Sequence, residues 1–287
     1  MRWLVLVTLL WAFSFSLIGE FLAGEVDGYI AVFSRMVLAI LVFIPFIRFN
    51  KIQPFMALKL MMIGAVQIGL MYLFLYHSFL FLSVPEVLLF TIFTPVYVSL
   101  LDDLIFVRQF RWHWFWPAVL SVIGAAIIRY QSPSQNFWFG LLLVQAANIC
   151  FAFGQVAYRR LADTNLQSQR QHFVFFFLGA LILTGTTAII FADWAKIPDN
   201  TLQYGVILWL GVAASGLGYF LWNYGAKQVN TGQLATMNNA LIPLGLLVNF
   251  LFWSHNLYWP TLILGGCVIA VSVIWSSRKP KSLSNSQ

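Results

Sequence analysis

Three amides, Gln145, Asn148 and Gln155, recur at separations of three and seven residues within one apolar run, a spacing that puts them on one face of a helix. Two more, Asn238 and Asn239, precede Pro243 in a second apolar run. Amides in such surroundings either bond helix to helix or recognise a polar ligand; their N–H groups donate hydrogen bonds and their oxygens accept them, and they break no covalent bonds. A proline within a helix frees the carbonyl four residues earlier. Pro95 therefore frees Thr91, and Pro243 frees Asn239, at depths where an unpaired carbonyl must face protein, water or ligand. Each break reads either as a kink repaired by neighbouring helices or as part of a binding site.

Arg35 also lies inside an apolar run, where insertion scales put the cost of its charge at about 2.5 to 3.5 kcal/mol. It is a candidate for holding an anionic substrate or for proton coupling, against the alternative of an ion pair with Glu20. Glu20 and Glu86 are the acidic residues within or opening an apolar span on that same side, which makes them coupling candidates by elimination. Glu86 equally suits a helix N-terminus. His77 is read as a packed or interfacial histidine ahead of a proton relay. Among the aromatics, Tyr72 is the one least like an interfacial belt residue. Cys150 and Cys267 sit in apolar runs without disulfide or metal spacing, so no metal or cofactor site is read. The sequence holds no Walker A, GxSxG or HExxH pattern, and nothing in it reads as an enzyme or as driven by ATP.

The elements that must position these residues are membrane helices. The chain is 61% hydrophobic and 9% charged, against about 25% charged in ordinary soluble domains. Runs long enough to cross about 30 Å of hydrocarbon predict ten helices, near 3 to 22, 29 to 48, 58 to 81, 84 to 104, 112 to 130, 137 to 159, 172 to 192, 203 to 225, 231 to 252 and 257 to 276. With the N-terminus inside, Arg2, Arg48, Lys51, Lys59, Arg108, Arg111, Arg159, Arg160, Arg170, Lys227, Arg278, Lys279 and Lys281 all fall on the cytoplasmic side. Lys196 and Arg129 fall outside. Both termini are thus expected in the cytoplasm. The net charge of +7 then reflects topology and attraction to membrane lipid, and gives no reason to invoke nucleic acid.

The chain repeats itself. Gly69-Leu70-Met71-Tyr72-Leu73-Phe74 corresponds to Gly216-Leu217-Gly218-Tyr219-Phe220-Leu221, and Tyr72 precedes Pro95 by 23 residues as Tyr219 precedes Pro243 by 24. Two five-helix halves are expected, residues 1–131 and 132–276, followed by a polar tail, 277–287. Because five is odd, the second half enters the membrane in the opposite sense, and a site is expected near the midplane between halves.

Several stretches in fixed order carry a family resemblance: Trp11 to Ser16 (WAFSFS) followed by Gly19-Glu20, Leu88 to Pro95 (LLFTIFTP), Ile123 to Tyr130 (IGAAIIRY), Leu141 to Gln145 (LLLVQ) and Trp209 to Gln228 (WLGVAASGLGYFLWNYGAKQ). Together they resemble the EamA-type members of the drug/metabolite transporter superfamily. The resemblance implies an all-α membrane protein, a secondary transporter without cofactors, and uptake of biotin across a bacterial inner membrane. Export of amino acids or other small metabolites is the alternative, and a membrane enzyme or assembly partner without transport is a remoter one. Biotin would offer a carboxylate to Arg35 or Arg129, a ureido group to the amides and freed carbonyls, and an apolar bicycle to aromatic walls. The residues expected to bind substrate are Arg35, Tyr72, Thr91, Gln145, Asn148, Asn238 and Asn239.

Overall fold

Without water to bond the backbone, a chain crossing hydrocarbon must pair its own N–H and C=O groups, and a helix does so within each segment. The computed structural model describes residues 1–48, 52–128, 137–161, 165–253 and 259–278, and among them no residue is in a strand. The helices are α1 (Arg2–Phe21), α2 (Gly28–Phe46), α3 (Pro54–Ser78), α4 (Val84–Val107), α5 (Trp112–Ile128), α6 (Phe137–Arg159), α7 (Leu166–Phe191), α8 (Thr201–Ala226), α9 (Thr231–Trp253) and α10 (Trp259–Ser277). Nine of these, among the described residues, are long and apolar enough to cross a membrane, and α5 is a shorter apolar helix. Lys51, Arg129, Tyr130, Lys279, Lys281 and the rest of the tail beyond Arg278 lie outside the described residues.

Caps and interruptions recur in α3 and α8 and in α4 and α9. Ser83 and Glu86 form a capping box at the start of α4, and Asn230 and Gln233 form one at the start of α9. α3 widens into a π-helical turn at Ala65–Leu70, immediately before Met71-Tyr72, and α8 does so at Leu210–Leu217, immediately before Gly218-Tyr219. α4 tightens to a 3-10 turn at Thr91–Phe93, and α9 is interrupted at Ala240. Pro95 and Pro243 each lie just past the interruption, where the helix restarts and a missing N–H costs least.

The first five helices pack among the last five. α3 lies against α6 and α7, while α8 lies against α1 and α2; α4 meets α9, and α5 runs along α10. Glycines permit the closest approach: a Cβ at Gly64 would overlap the carbonyl of Phe176, and one at Gly179 would overlap the carbonyl of Met61, so α3 and α7 touch backbone to backbone. Charge separates along the bundle. Arg170 stacks over the ring of Phe46 at 4.4 Å, and Lys227 reaches the carbonyl of Leu161, at the end that carries Arg2. At the other end, the amide of Asp27 donates to the Lys196 carbonyl at 2.9 Å.

Replacing Gly179 with valine forces the two backbones apart, which is expected to cost about 1–3 kcal/mol and lower the melting temperature of the purified protein. Gly205→Ala, where an added Cβ meets nothing within 4 Å, serves as the control. Equal melting temperatures for the two variants would overturn the close-packing assignment.

Candidate functional site

α1, α3, α4, α6, α8 and α9 line a central cavity of about 80 Å³, concave and mostly apolar as small-molecule sites are but tighter than most. Its polar lining comes from Ser14, Tyr72, Thr91, Thr94, Asn148 and Asn238. Trp11, Phe15, Phe151 and Tyr219 supply aromatic walls. The Ser14 hydroxyl is buried and has no hydrogen-bond partner among the described residues, so a group in this cavity would meet an unsatisfied oxygen.

The widened turn of α8 builds the aromatic side. A π-turn disturbs the regular carbonyl ladder, and the Ala214 carbonyl within it accepts from the Trp11 indole at 2.8 Å. This holds Trp11 with its ring centroid 5.0 Å from both Tyr219 and Trp222. Trp222 in turn donates to Gln155 Oε1 at 3.0 Å, so Gln155, the third member of the amide stripe, anchors the wall from behind.

Arg35 is completely buried on α2 and stands behind Tyr72, outside the cavity lining. Its guanidinium donates to Tyr72 Oη at 2.5 Å, to Tyr76 Oη at 2.9 Å and to Ser215 Oγ at 2.9 and 3.1 Å, and its carbon sits 4.0 Å from the Tyr72 ring centroid. The partners are hydroxyls, not the Glu20 carboxylate; the ion pairs among the described residues are made by Asp102 and Asp103. Glu20 is exposed at the end of α1. Because arginine only donates, each of these hydroxyls accepts from it and keeps its own proton to donate. Tyr72 Oη also accepts from Ser215 Oγ at 3.5 Å, so a hydroxyl polarised by the cation belongs to a residue that lines the cavity.

The amides at the helix breaks are mostly engaged. Gln145 Nε2 and Asn148 Nδ2 both donate to the Phe90 carbonyl, at 3.0 and 2.9 Å, and Asn239 Nδ2 donates to the Ile92 carbonyl at 3.0 Å. The expected acceptor, the Thr91 carbonyl, is taken by the Thr94 hydroxyl at 2.7 Å. The difference follows from the 3-10 turn, whose tighter winding exposes carbonyls on either side of Thr91. Gln145 and Asn239 thus tie α4 to α6 and α9 and do not line the cavity, whereas Asn148 and Asn238 do. Asn239 Oδ1 is buried and without a partner among the described residues.

The remaining candidates lie elsewhere. Glu86 Oε2 accepts from the Ser83 amide and hydroxyl, both at 2.8 Å, as a helix cap. His77 Nδ1 lies 2.7 Å from the Leu73 carbonyl and its ring packs on Tyr29, as a packed histidine does. Arg129 lies outside the described residues. Cys150 is buried in α6 and Cys267 exposed on α10. Sequence reasoning passed over Ser14, Phe15, Thr94 and Phe151, whose types are unremarkable in a membrane helix. It also passed over Asp102-Asp103, an acidic pair at the end of an apolar run with Arg111 eight residues on, a pattern that does signal an ion-pair junction.

The chain belongs to the EamA-like transporter family, whose profile matches residues 1–130 and 138–278. It is a multi-pass membrane transporter and not an enzyme. Within curated proteins it is 47% identical, over 97% of its length and 93% of theirs, to proteins named biotin transporter from Salmonella typhimurium and Escherichia coli K12. One crystal structure, 16% identical, superposes with a TM-score of 0.75 over 96% of both chains, a likeness of fold alone.

Removing Gln145 and Asn148 together leaves the Phe90 carbonyl unpaired in a low-dielectric interior, an expected loss of about 1–3 kcal/mol. The double alanine variant should melt clearly below either single variant, since one amide still serves the carbonyl in each single. Additive, small shifts would mean that the carbonyl finds another partner.

Proposed function

We propose that the chain imports biotin across the bacterial inner membrane by alternating access. The observation that carries this reading is the 47% identity, over 97% of the chain, to proteins named biotin transporter. The moving parts in this proposal are two inverted five-helix repeats, residues 1–131 and 132–276, with both termini in the cytoplasm and 277–287 as a cytoplasmic tail. Support comes from the two family matches and from the paired π-turns, capping boxes and interruptions. The reciprocal contacts of α3 with α7 and of α8 with α2 are those expected when two like halves face each other about a central axis.

The cavity suits biotin group by group. Its carboxylate is assigned to the Tyr72 side, where the hydroxyl proton is offered and Arg35 supplies positive charge from behind. The ureido ring, with two N–H donors and one carbonyl, is assigned to Asn148, Asn238, Ser14 and the hydroxyls of Thr91 and Thr94. The apolar bicycle and chain fit between Trp11, Phe151 and Tyr219. Gln145 and Asn239 act in this scheme by holding the broken helices in register. Glu20 and Glu86 stand apart from the cavity, and the proposal carries no coupling step through them.

Cells that lack biotin synthesis and other uptake should grow on nanomolar to micromolar biotin when they make this chain, the range of ordinary specific affinities. Growth with the same high supplement as the empty vector would sink the assignment.

The carboxylate assignment has its own test. Biotin amide should compete with labelled biotin at least tenfold more weakly than biotin does, and Tyr72→Phe should raise the transport KM by about ten- to a hundredfold, as expected for loss of a hydrogen bond to a charged group. Arg35→Lys should keep partial uptake and Arg35→Ala almost none. Undiminished competition by biotin amide, with an unchanged KM in Tyr72→Phe, would remove the anion from that side of the cavity.

A further inference from the structure

Asp102 is completely buried near the end of α4, at the end of the bundle that carries Arg2, and both of its oxygens are held from other elements. Oδ1 accepts from Arg160 Nε at 2.9 Å and from the same guanidinium's Nη2; Oδ2 accepts from Thr231 Oγ1 at 2.6 Å and from Arg111. Asp103 accepts from the Arg111 amide at 2.7 Å and from its guanidinium, so Arg111 and the two carboxylates form one unit within the first five helices. Arg160 and Thr231 belong to the last five, at the end of α6 and the start of α9. Arg159 braces Thr231, donating to its Oγ1 at 2.7 Å and to the Val229 carbonyl at 2.9 Å. Asp102 is thus the point at which α4 is tied to α6 and to α9.

Those same three helices line the central cavity. α4 contributes Thr91 and Thr94, α6 contributes Asn148 and Phe151, and α9 contributes Asn238. Along α6 between Asn148 and Arg160, Gln155 is buried and meets the Asn238 amide at 3.5 Å, and Gly154 lies so close to α3 that a Cβ there would overlap the Gln67 side chain. The bundle is closed between the cavity and Asp102. A passage to that end has to part α6 and α9 from α4, and the bonds of Asp102 to Arg160 and Thr231 stand across it.

Charge makes such a closure two-state. Pulling Arg160 away inside dry protein leaves a buried carboxylate short of its partners, whereas full opening lets water solvate both ions. Partly open arrangements are therefore disfavoured against shut-and-dry and open-and-wet ones, as a switching element requires. We propose that Asp102 is a latch: its bonds to Arg160 and Thr231 hold this end of the bundle shut beneath the cavity and release together when the two sets of helices part. The inference rests on the alternating-access reading above and not on the identity of the substrate.

Thiol labelling of the full chain in membrane vesicles tests the latch without any substrate. In a background of Cys150→Ala and Cys267→Ala, the change Ala147→Cys places one thiol in the cavity lining. Its reaction with the membrane-impermeant reagent methanethiosulfonate ethylsulfonate is timed in right-side-out and inside-out vesicles. With the latch intact, labelling should be slow from the face that carries Arg2. Arg160→Gln leaves Asp102 paired with Arg111 and Thr231; it should speed labelling from that face about tenfold and slow it from the other, as loss of a hydrogen bond to a charged group shifts a two-state balance. Arg160→Lys should restore most of the original pattern. Thr231→Val leaves every charge in place, and the same directional shift in it supports the latch even if Arg160→Gln folds poorly. Lys59→Gln, at the same end but outside the cluster, should change nothing. Lower melting temperatures in Arg160→Gln and Thr231→Val with no directional change in labelling would overturn the latch and leave the cluster a static brace. So would equal gains from both faces, the mark of general loosening. A directional shift in a chain that imports no biotin would support the latch and remove only the substrate reading.

Discussion

A backbone carbonyl left without a partner in hydrocarbon costs several kcal/mol, and α4 presents such groups where it changes from α-helix to 3-10 turn. The Phe90 carbonyl takes Gln145 and Asn148 from α6, and the Ile92 carbonyl takes Asn239 from α9. The break in one helix is thereby made good by side chains of two others, at a distance of more than fifty residues along the chain. Once those bonds are made, α4, α6 and α9 hold a fixed register around the space that Asn148 and Asn238 line. The cavity wall is a by-product of satisfying the backbone.

Arg35 meets the same constraint by a different route. A guanidinium enclosed in protein requires acceptors for its N–H groups, and here hydroxyls of Tyr72, Tyr76 and Ser215 provide them without cancelling its charge. An ion pair would have produced a neutral, self-contained unit. Hydroxyl partners instead leave a positive potential close to the cavity, carried to its surface by Tyr72, and low local dielectric strengthens that field.

The helices were legible in the sequence because one-dimensional hydrophobicity is enough to write them: the spans, the short connections and the gathering of Lys and Arg at one end all follow from composition along the chain. The near-equal spacings from Tyr72 to Pro95 and from Tyr219 to Pro243, 23 and 24 residues, were legible too, and a widened turn stands just before each tyrosine. Side-chain partnerships were not. A proline marks the vicinity of a break, but the neighbouring turn decides which carbonyls face outward, so Phe90 and Ile92 replaced Thr91 as the acceptors. Glu86 could be read as a cap or a coupling group from its position alone; only the two bonds to Ser83 distinguish them. Arg35 was visible as an anomaly, while its partners lie on two other helices, α3 and α8, whose rotation relative to α2 no single-sequence pattern fixes. Ser14 and Phe151 carry no sequence signal, because serine and phenylalanine are ordinary residues in a membrane helix.

The widened turns of α3 and α8 each spread one additional residue over nearly the same rise. Deleting a single residue from Ala65–Leu70 would let α3 relax to regular α-helix with the segment from Met71 to Ser78 facing nearly as before, because the widened turn already absorbs the additional residue. A deletion between Tyr72 and Tyr76 has no such slack: it would turn one phenol by about 100° relative to the other, and the guanidinium would lose a partner without any change in its identity. The widened turns are therefore the places in α3 and α8 where chain length can change by one residue while the site keeps its direction.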